Sequence, residues 1–187
     1  MKVLKSYECM NACILNHMNR AGMEINGSDI FFSGGGYPVS YKKGSLTHIV
    51  SDGYEANFQV KRSIKCYLDG ADHFWRSRST GEKAISCMVK EMGRYVEKRD
   101  FRDITIDANL RLRVDGYMGA KKFLLEKLWE QGKTKLAEEY KILIDRWSKW
   151  CMLLLKSGLV ATPENFSFVK QRMEELVQQE HHILEKY

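Results

Sequence analysis

The stretch that decides the fold is Leu136-Ala137-Glu138-Glu139-Tyr140-Lys141-Ile142-Leu143-Ile144-Asp145-Arg146-Trp147-Ser148-Lys149-Trp150-Cys151-Met152-Leu153-Leu154-Leu155-Lys156. Its apolar residues Leu136, Tyr140, Leu143, Ile144, Trp147, Cys151, Leu154 and Leu155 recur at spacings of three and four. That is the period of one helix face, so the spacing predicts an amphipathic helix over residues 134–156. Gly158 follows as a C-terminal cap.

Working outward, residues 120–131 show the same period, with Phe123, Leu124, Leu128 and Trp129 on one side and Gly132 as a breaker. On the other flank, Thr162-Pro163-Glu164 opens a further helix. A threonine cap is followed by proline, whose missing N–H costs nothing in the first turn, and then by an acid that favours the positive end of the helix dipole. Phe166, Val169, Met173, Leu176 and Ile183 carry the apolar stripe to the end, and the pair His181-His182 reads as solvated helix surface. Short connections between three long amphipathic segments imply an antiparallel three-helix bundle over residues 116–187.

Residues 1–115 read differently. Residues 6–22 form a helix in which Ser6 caps and Gly22 stops, with Cys9 in the first turn and Cys9, Cys13 and His17 stacked on one face. Asn26-Gly27-Ser28-Asp29 is turn chemistry, then comes the apolar run Ile30-Phe31-Phe32. Residues 39–41 and 46–50 read as two short strands, joined through Lys42-Lys43-Gly44. Residues 57–68 and 82–95 have helical spacing. Ile104, Ile106, Ala108, Leu110, Leu112 and Val114 alternate with period two, which favours a strand, with a helix through the same residues as the alternative. The expected architecture is an α+β fold: a small N-terminal helix-plus-sheet portion over 1–115 and a C-terminal three-helix bundle, in one compact domain.

Bulk properties narrow the function classes. The chain has 187 residues, 44% hydrophobic and 29% charged, so it can bury a core without covalent staples. No run of apolar residues approaches the length of a membrane span, and the N-terminus lacks a signal-peptide apolar segment. The five cysteines are an odd count without a CxxC pair, which suits free thiols in a reducing compartment. A cytoplasmic location is the expectation. The net charge of +6 favours an acidic partner, although no lysine/arginine run marks a nucleic-acid arm, so nucleic acid is disfavoured.

Few residues point to chemistry. Cys9 lies near the positive end of a helix dipole, which lowers a thiol's pKa; buried packing is the plainer reading of a cysteine on an amphipathic helix. A base would come from His48, in the strand-like segment with Asp52 shortly after it, or from His73 in reserve. Ser33-Gly34-Gly35-Gly36 lacks both common phosphate-loop patterns. It either brings backbone N–H groups toward a substrate, with Tyr37 beside them, or permits a tight turn. Cys9, Cys13 and His17 are too few ligands for a structural zinc site, and neither a metal nor a cofactor is expected.

The segments Glu8-Cys9-Met10-Asn11-Ala12-Cys13-Ile14-Leu15 and Ser28-Asp29-Ile30-Phe31-Phe32-Ser33-Gly34-Gly35-Gly36-Tyr37 resemble the start of the butirosin-biosynthesis H-type acyltransferases. Gly119, Trp147 and Trp150 are similar in placement to that family's C-terminal glycine and tryptophan. The resemblance spans about 40 residues at the front and, more loosely, about 60 at the back. It implies a papain-like fold and a cysteine at position 9 that accepts an acyl group from an acidic acyl carrier protein and passes it to a small amine acceptor. The middle departs from the pattern, because no histidine lies between Gly93 and Gly116. Either His48 or His73 then substitutes, or the catalytic set is incomplete. The readings set against acyl transfer (or a related amide hydrolysis) are a non-catalytic helical module, binding a partner or forming a homodimer through the C-terminal helices, and a nucleic-acid-binding protein.

Overall fold

The computed structural model describes residues 9–33, 39–42, 45–48, 60–69, 79–98, 104–159 and 162–187. In chain order these hold α1 (Cys9–Arg20), α2 (Gly27–Ser33), β1 (Val39–Lys42), β2 (Ser45–His48), α3 (Val60–Asp69), β3 (Ser79–Thr80), α4 (Gly81–Lys98), α5 (Ile104–Glu130), α6 (Thr134–Leu159) and α7 (Pro163–Leu184).

The expected α+β class is overturned. Residues whose side chains are described are 87% helical, and none of them lies in a strand. The backbone does form the expected hairpin: β1 and β2 pair antiparallel with Val39 opposite His48, and β3 pairs with β1 through Ser40 and Tyr41. Strands of four, four and two residues make a short ribbon beside α4 and α5, too small to form a layer over the core. Helices cover it instead, because each apolar stripe finds another stripe to pack on.

The period-two segment is part of α5. Its alternation hides two i,i+4 series, Ile104/Ala108/Leu112 and Ile106/Leu110/Val114, so the same residues satisfy a helix. Extending an existing helix adds one hydrogen bond per residue without a new nucleation cost, and no proline interrupts the run. Gly116 and Gly119 therefore sit inside a helix, and α5 runs unbroken through positions 115 and 116.

Helix ends follow local chemistry. Gly22 and Gly132 take positive φ, at +83° and +68°, where a side chain would be strained. Asn26 Oδ1 accepts the Asp29 backbone N–H at 2.8 Å, and Asp29 Oδ2 accepts the Asn26 N–H at 3.3 Å. This reciprocal cap opens α2, so Ile30, Phe31 and Phe32 are helical. Thr162 caps α7 with its hydroxyl on the Asn165 N–H at 3.2 Å, and Pro163 takes the first helical position. Thr162→Ala is expected to cost about 1 kcal/mol, and urea unfolding that leaves the midpoint unmoved would deny the cap this role.

Helices α6 and α7 run antiparallel. Arg146 Nη1 donates to Gln179 Oε1 at 2.8 Å, Trp150 Nε1 to the Val169 carbonyl at 2.9 Å, and Lys186 Nζ to Glu139 Oε2 at 2.8 Å. One apolar cluster joins α3 and α4 to α5, α6 and α7, with Tyr67, Ile85, Phe123, Trp147, Trp150 and Met173 among its most buried members. The bundle thus recruits α3 and α4 beyond the three helices foreseen. Trp129, expected in the apolar stripe, is 43% exposed at the end of α5. Among the described residues, no helix is long and apolar enough to cross a membrane.

Candidate functional site

The sequence-derived site lies mostly outside the described residues. Cys9 is the first helical residue of α1, and His48 is the last residue of β2. Asp52, Gly34, Gly35, Gly36, Tyr37 and the reserve base His73 lie outside the described residues, as does the Ser6 cap. Cys13 and His17 face solvent on α1, so Cys13 is not a buried packing residue. Among the described residues, no group of His, Cys, Asp and Glu is placed to hold a metal ion.

The structure brings together a different set, inside the bundle. Lys121 on α5 and Glu180 on α7 are both fully buried and form an ion pair through both carboxylate oxygens. Tyr117 donates its hydroxyl to Glu180 Oε2 at 2.8 Å, and Tyr140 donates to Oε1 at 3.1 Å. The Tyr67 and Tyr117 hydroxyls are 2.5 Å apart. Since Tyr117 spends its proton on Glu180, Tyr67 is the donor between the two. The ammonium also lies over aromatic faces, 3.5 Å from the Tyr117 ring centroid and 4.8 Å from that of Trp147. Helices α5, α6 and α7 therefore meet at one carboxylate, and α3 joins them through the Tyr117 hydroxyl.

Burial governs the protonation of these groups. Desolvation pushes the Lys121 ammonium down to about 8, against the opposing pull of Glu180. Desolvation, and then the charge of Glu180, hold the Tyr67 and Tyr117 hydroxyls well above their usual value of 10. An ion pair removed from water survives only when further hydrogen bonds satisfy it, and the tyrosines supply them here. Because Lys121 and Glu180 have no solvent exposure, they offer no face to a substrate.

Both residues were legible in principle. Lys121 falls four residues after Tyr117 and three before Leu124, and Glu180 falls between Val177 and Leu184 on the apolar face of α7. A charged residue on an apolar stripe is the signal of a buried pair. What spacing does not reveal is the partner, 59 residues away.

Beside this core, His181 corrects the reading of a plain solvated surface. Its Nδ1 lies 2.5 Å from Glu82 Oε2 on α4, and its Nε2 lies 3.1 Å from Glu185 Oε1. The hydrogen bond to Glu82, foremost, raises the His181 pKa above 6.5. A folded pKa above the unfolded value means the stabilisation is full below pH 6.5 and is lost as pH rises through the folded value. Thermal unfolding across that window should show a loss in the natural chain that Glu82→Gln largely removes. The imidazole is 39% exposed, so added salt should shrink the effect. A pH profile shared by both proteins would sink this assignment.

No family model matches the chain, and no curated protein or solved structure matches it.

Proposed function

We propose that this chain is a non-catalytic helical module that acts through its surface, in a reducing, cytoplasmic setting. The observation that carries this reading is the sealed position of the Lys121–Glu180–tyrosine network. The ionisable cluster that the fold does assemble serves helix packing, which leaves the outer faces to meet partners. Trp129, Ile142, Met152 and Phe168 are large apolar residues exposed on α5, α6 and α7, in keeping with self-association through the C-terminal helices.

The second reading is cysteine-dependent acyl transfer. It is favoured by Cys9 at the start of α1, where the helix dipole stabilises a thiolate, and by the resemblance of the surrounding segments to H-type acyltransferases. An acidic carrier protein would supply the acyl thioester, a small amine would accept it, and His48 with Asp52 would act on the proton.

One experiment separates the two. Limiting iodoacetamide is applied at several pH values and alkylation is mapped by peptide mass. The module reading expects Cys9 to react no faster than the exposed Cys13. Selective alkylation of Cys9 below pH 7 would overturn it in favour of acyl transfer. Light scattering across a concentration series tests self-association, which a monomer at every concentration would exclude.

A further inference from the structure

The positive charge of this chain is unevenly placed. Residues 60–113 hold 13 Lys and Arg against eight Asp and Glu, so five of the six net positive charges fall within them. The structure shows where the described part of that charge goes. Lys61 and Lys65 are exposed on α3, and Lys83 and Lys90 are exposed on α4. The opposite faces of both helices, through Val60, Ile64 and Tyr67 and through Ala84, Ile85, Met88 and Val89, enter the same apolar cluster. The lysine-bearing sides therefore both point away from that core.

Charges on the C-terminal helices are handled differently. Lys127 pairs with Asp29 and Glu130, Arg172 with Glu175, and Lys186 with Glu139. The exposed lysines of α6, Lys135, Lys141, Lys149 and Lys156, also carry no ion pair among the described residues, but the first three interleave with Glu138 and Asp145. On α3 and α4, Asp69 is the exposed acid among the described residues, and Glu82 is engaged by His181. Lys61, Lys65, Lys83 and Lys90 carry no ion pair among the described residues.

We propose that the outer face of α3 and α4 is a docking surface for the phosphodiester backbone of a nucleic acid. This rests on the module reading and names its partner. Charge complementarity calls for a polyanion, and the make-up of the face selects which kind. The described exposed residues of the two helices are Lys61, Lys65, Asp69, Lys83, Ser86 and Lys90, with no large apolar side chain among them. Protein interfaces depend on a desolvated apolar or aromatic anchor, and charged residues are depleted from their centres. Interfaces with nucleic acid are polar and strongly positive, and phosphate contacts dominate their affinity. Lysines four apart on a helix lie about 6 Å from each other, and seven apart about 10 Å, distances of the order of phosphate spacings along a strand. Its described exposed residues include no aromatic side chain to stack on bases, so the contacts they offer are to backbone and not to sequence.

The test is fluorescence anisotropy of the full chain with short duplex DNA, duplex RNA and single-stranded RNA over a salt series. Binding to at least one probe is expected, falling steeply as salt rises. The variant Lys61→Gln/Lys65→Gln/Lys83→Gln/Lys90→Gln should weaken it on the order of tenfold or more and reduce the slope of log K against log salt by about 3 to 4. All four positions are exposed, so circular dichroism should show an unchanged fold. The control Lys135→Gln/Lys141→Gln/Lys149→Gln on α6 should leave binding as it was. Absence of binding to every probe at low salt overturns the inference, while the thiol-reactivity result for the module reading stands apart from it. Equal loss in the control, or no loss in the α3–α4 variant, removes this face. Labelled polyglutamate binding as tightly as nucleic acid would overturn the choice of partner in favour of an acidic protein.

Discussion

Lys121→Met is expected to destabilise the fold by about 3–5 kcal/mol, the usual cost of leaving one member of a buried ion pair without its partner. The methionine fills much of the lysine's volume, so packing contributes little to the loss. The cost arises at Glu180, which is left in the interior without its ammonium partner, with the Tyr117 and Tyr140 hydroxyls among its donors. Adding Glu180→Gln should recover most of the stability. The amide removes the charge and still presents a carbonyl oxygen to the tyrosines. Urea unfolding followed by far-ultraviolet circular dichroism measures all three variants. A single substitution that costs under about 1 kcal/mol, or a double variant whose loss is the sum of two single losses, would show that the pair is not coupled. If Lys121→Met does not fold, a folded double variant carries the same conclusion, because total stabilities are only about 5–15 kcal/mol.

Trp147→Ala is expected to cost about 3–5 kcal/mol, as for other large aromatic residues truncated in a core. Trp147 is fully buried, and its ring meets Tyr117 edge-on at 5.5 Å and Trp150 edge-on at 5.4 Å. It also forms part of the aromatic wall over the Lys121 ammonium. Truncation removes apolar contact and a cation–π face together. The two tryptophans differ in their polar ends. Trp150 donates to the Val169 carbonyl at 2.9 Å, whereas the buried Trp147 Nε1 has no acceptor among the described residues. Trp147→Phe gives up a donor that gains nothing, and Trp150→Phe breaks a hydrogen bond to α7. Trp150→Phe should therefore be the more costly of these two by about 1 kcal/mol. The reverse order in urea unfolding would mean that Trp147 has an acceptor after all.

The buried pair and the aromatic wall form a cluster that the sequence-derived candidate site did not include. Cys9, His48 and Asp52 were selected because their chemistry is suited to acyl transfer and because the flanking segments resemble a family that performs it. Residue type names a capability; only convergence of side chains makes a site. The described structure converges on Lys121, Glu180, Tyr117, Tyr140 and Tyr67, two of which are charges on stripes otherwise read as plain core.

Local physics was legible throughout. The threonine-proline-acid start of α7, the turns at Gly22 and Gly132, the hairpin of β1 and β2, and the helices of the C-terminal half follow from capping, glycine conformation and a three/four period, all short-range effects. The alternation over Ile104 to Val114 was ambiguous for the same reason, since neighbours a few residues away satisfy either state. Helix propagation resolved it by continuing α5, and tertiary structure made α3 and α4 part of the bundle. It placed Glu180 against a lysine 59 residues distant and His181 against a carboxylate 99 residues distant. A helix face records that it must be buried, but not against what; the partner is chosen by packing across the chain, where burial makes each unpaired charge costly.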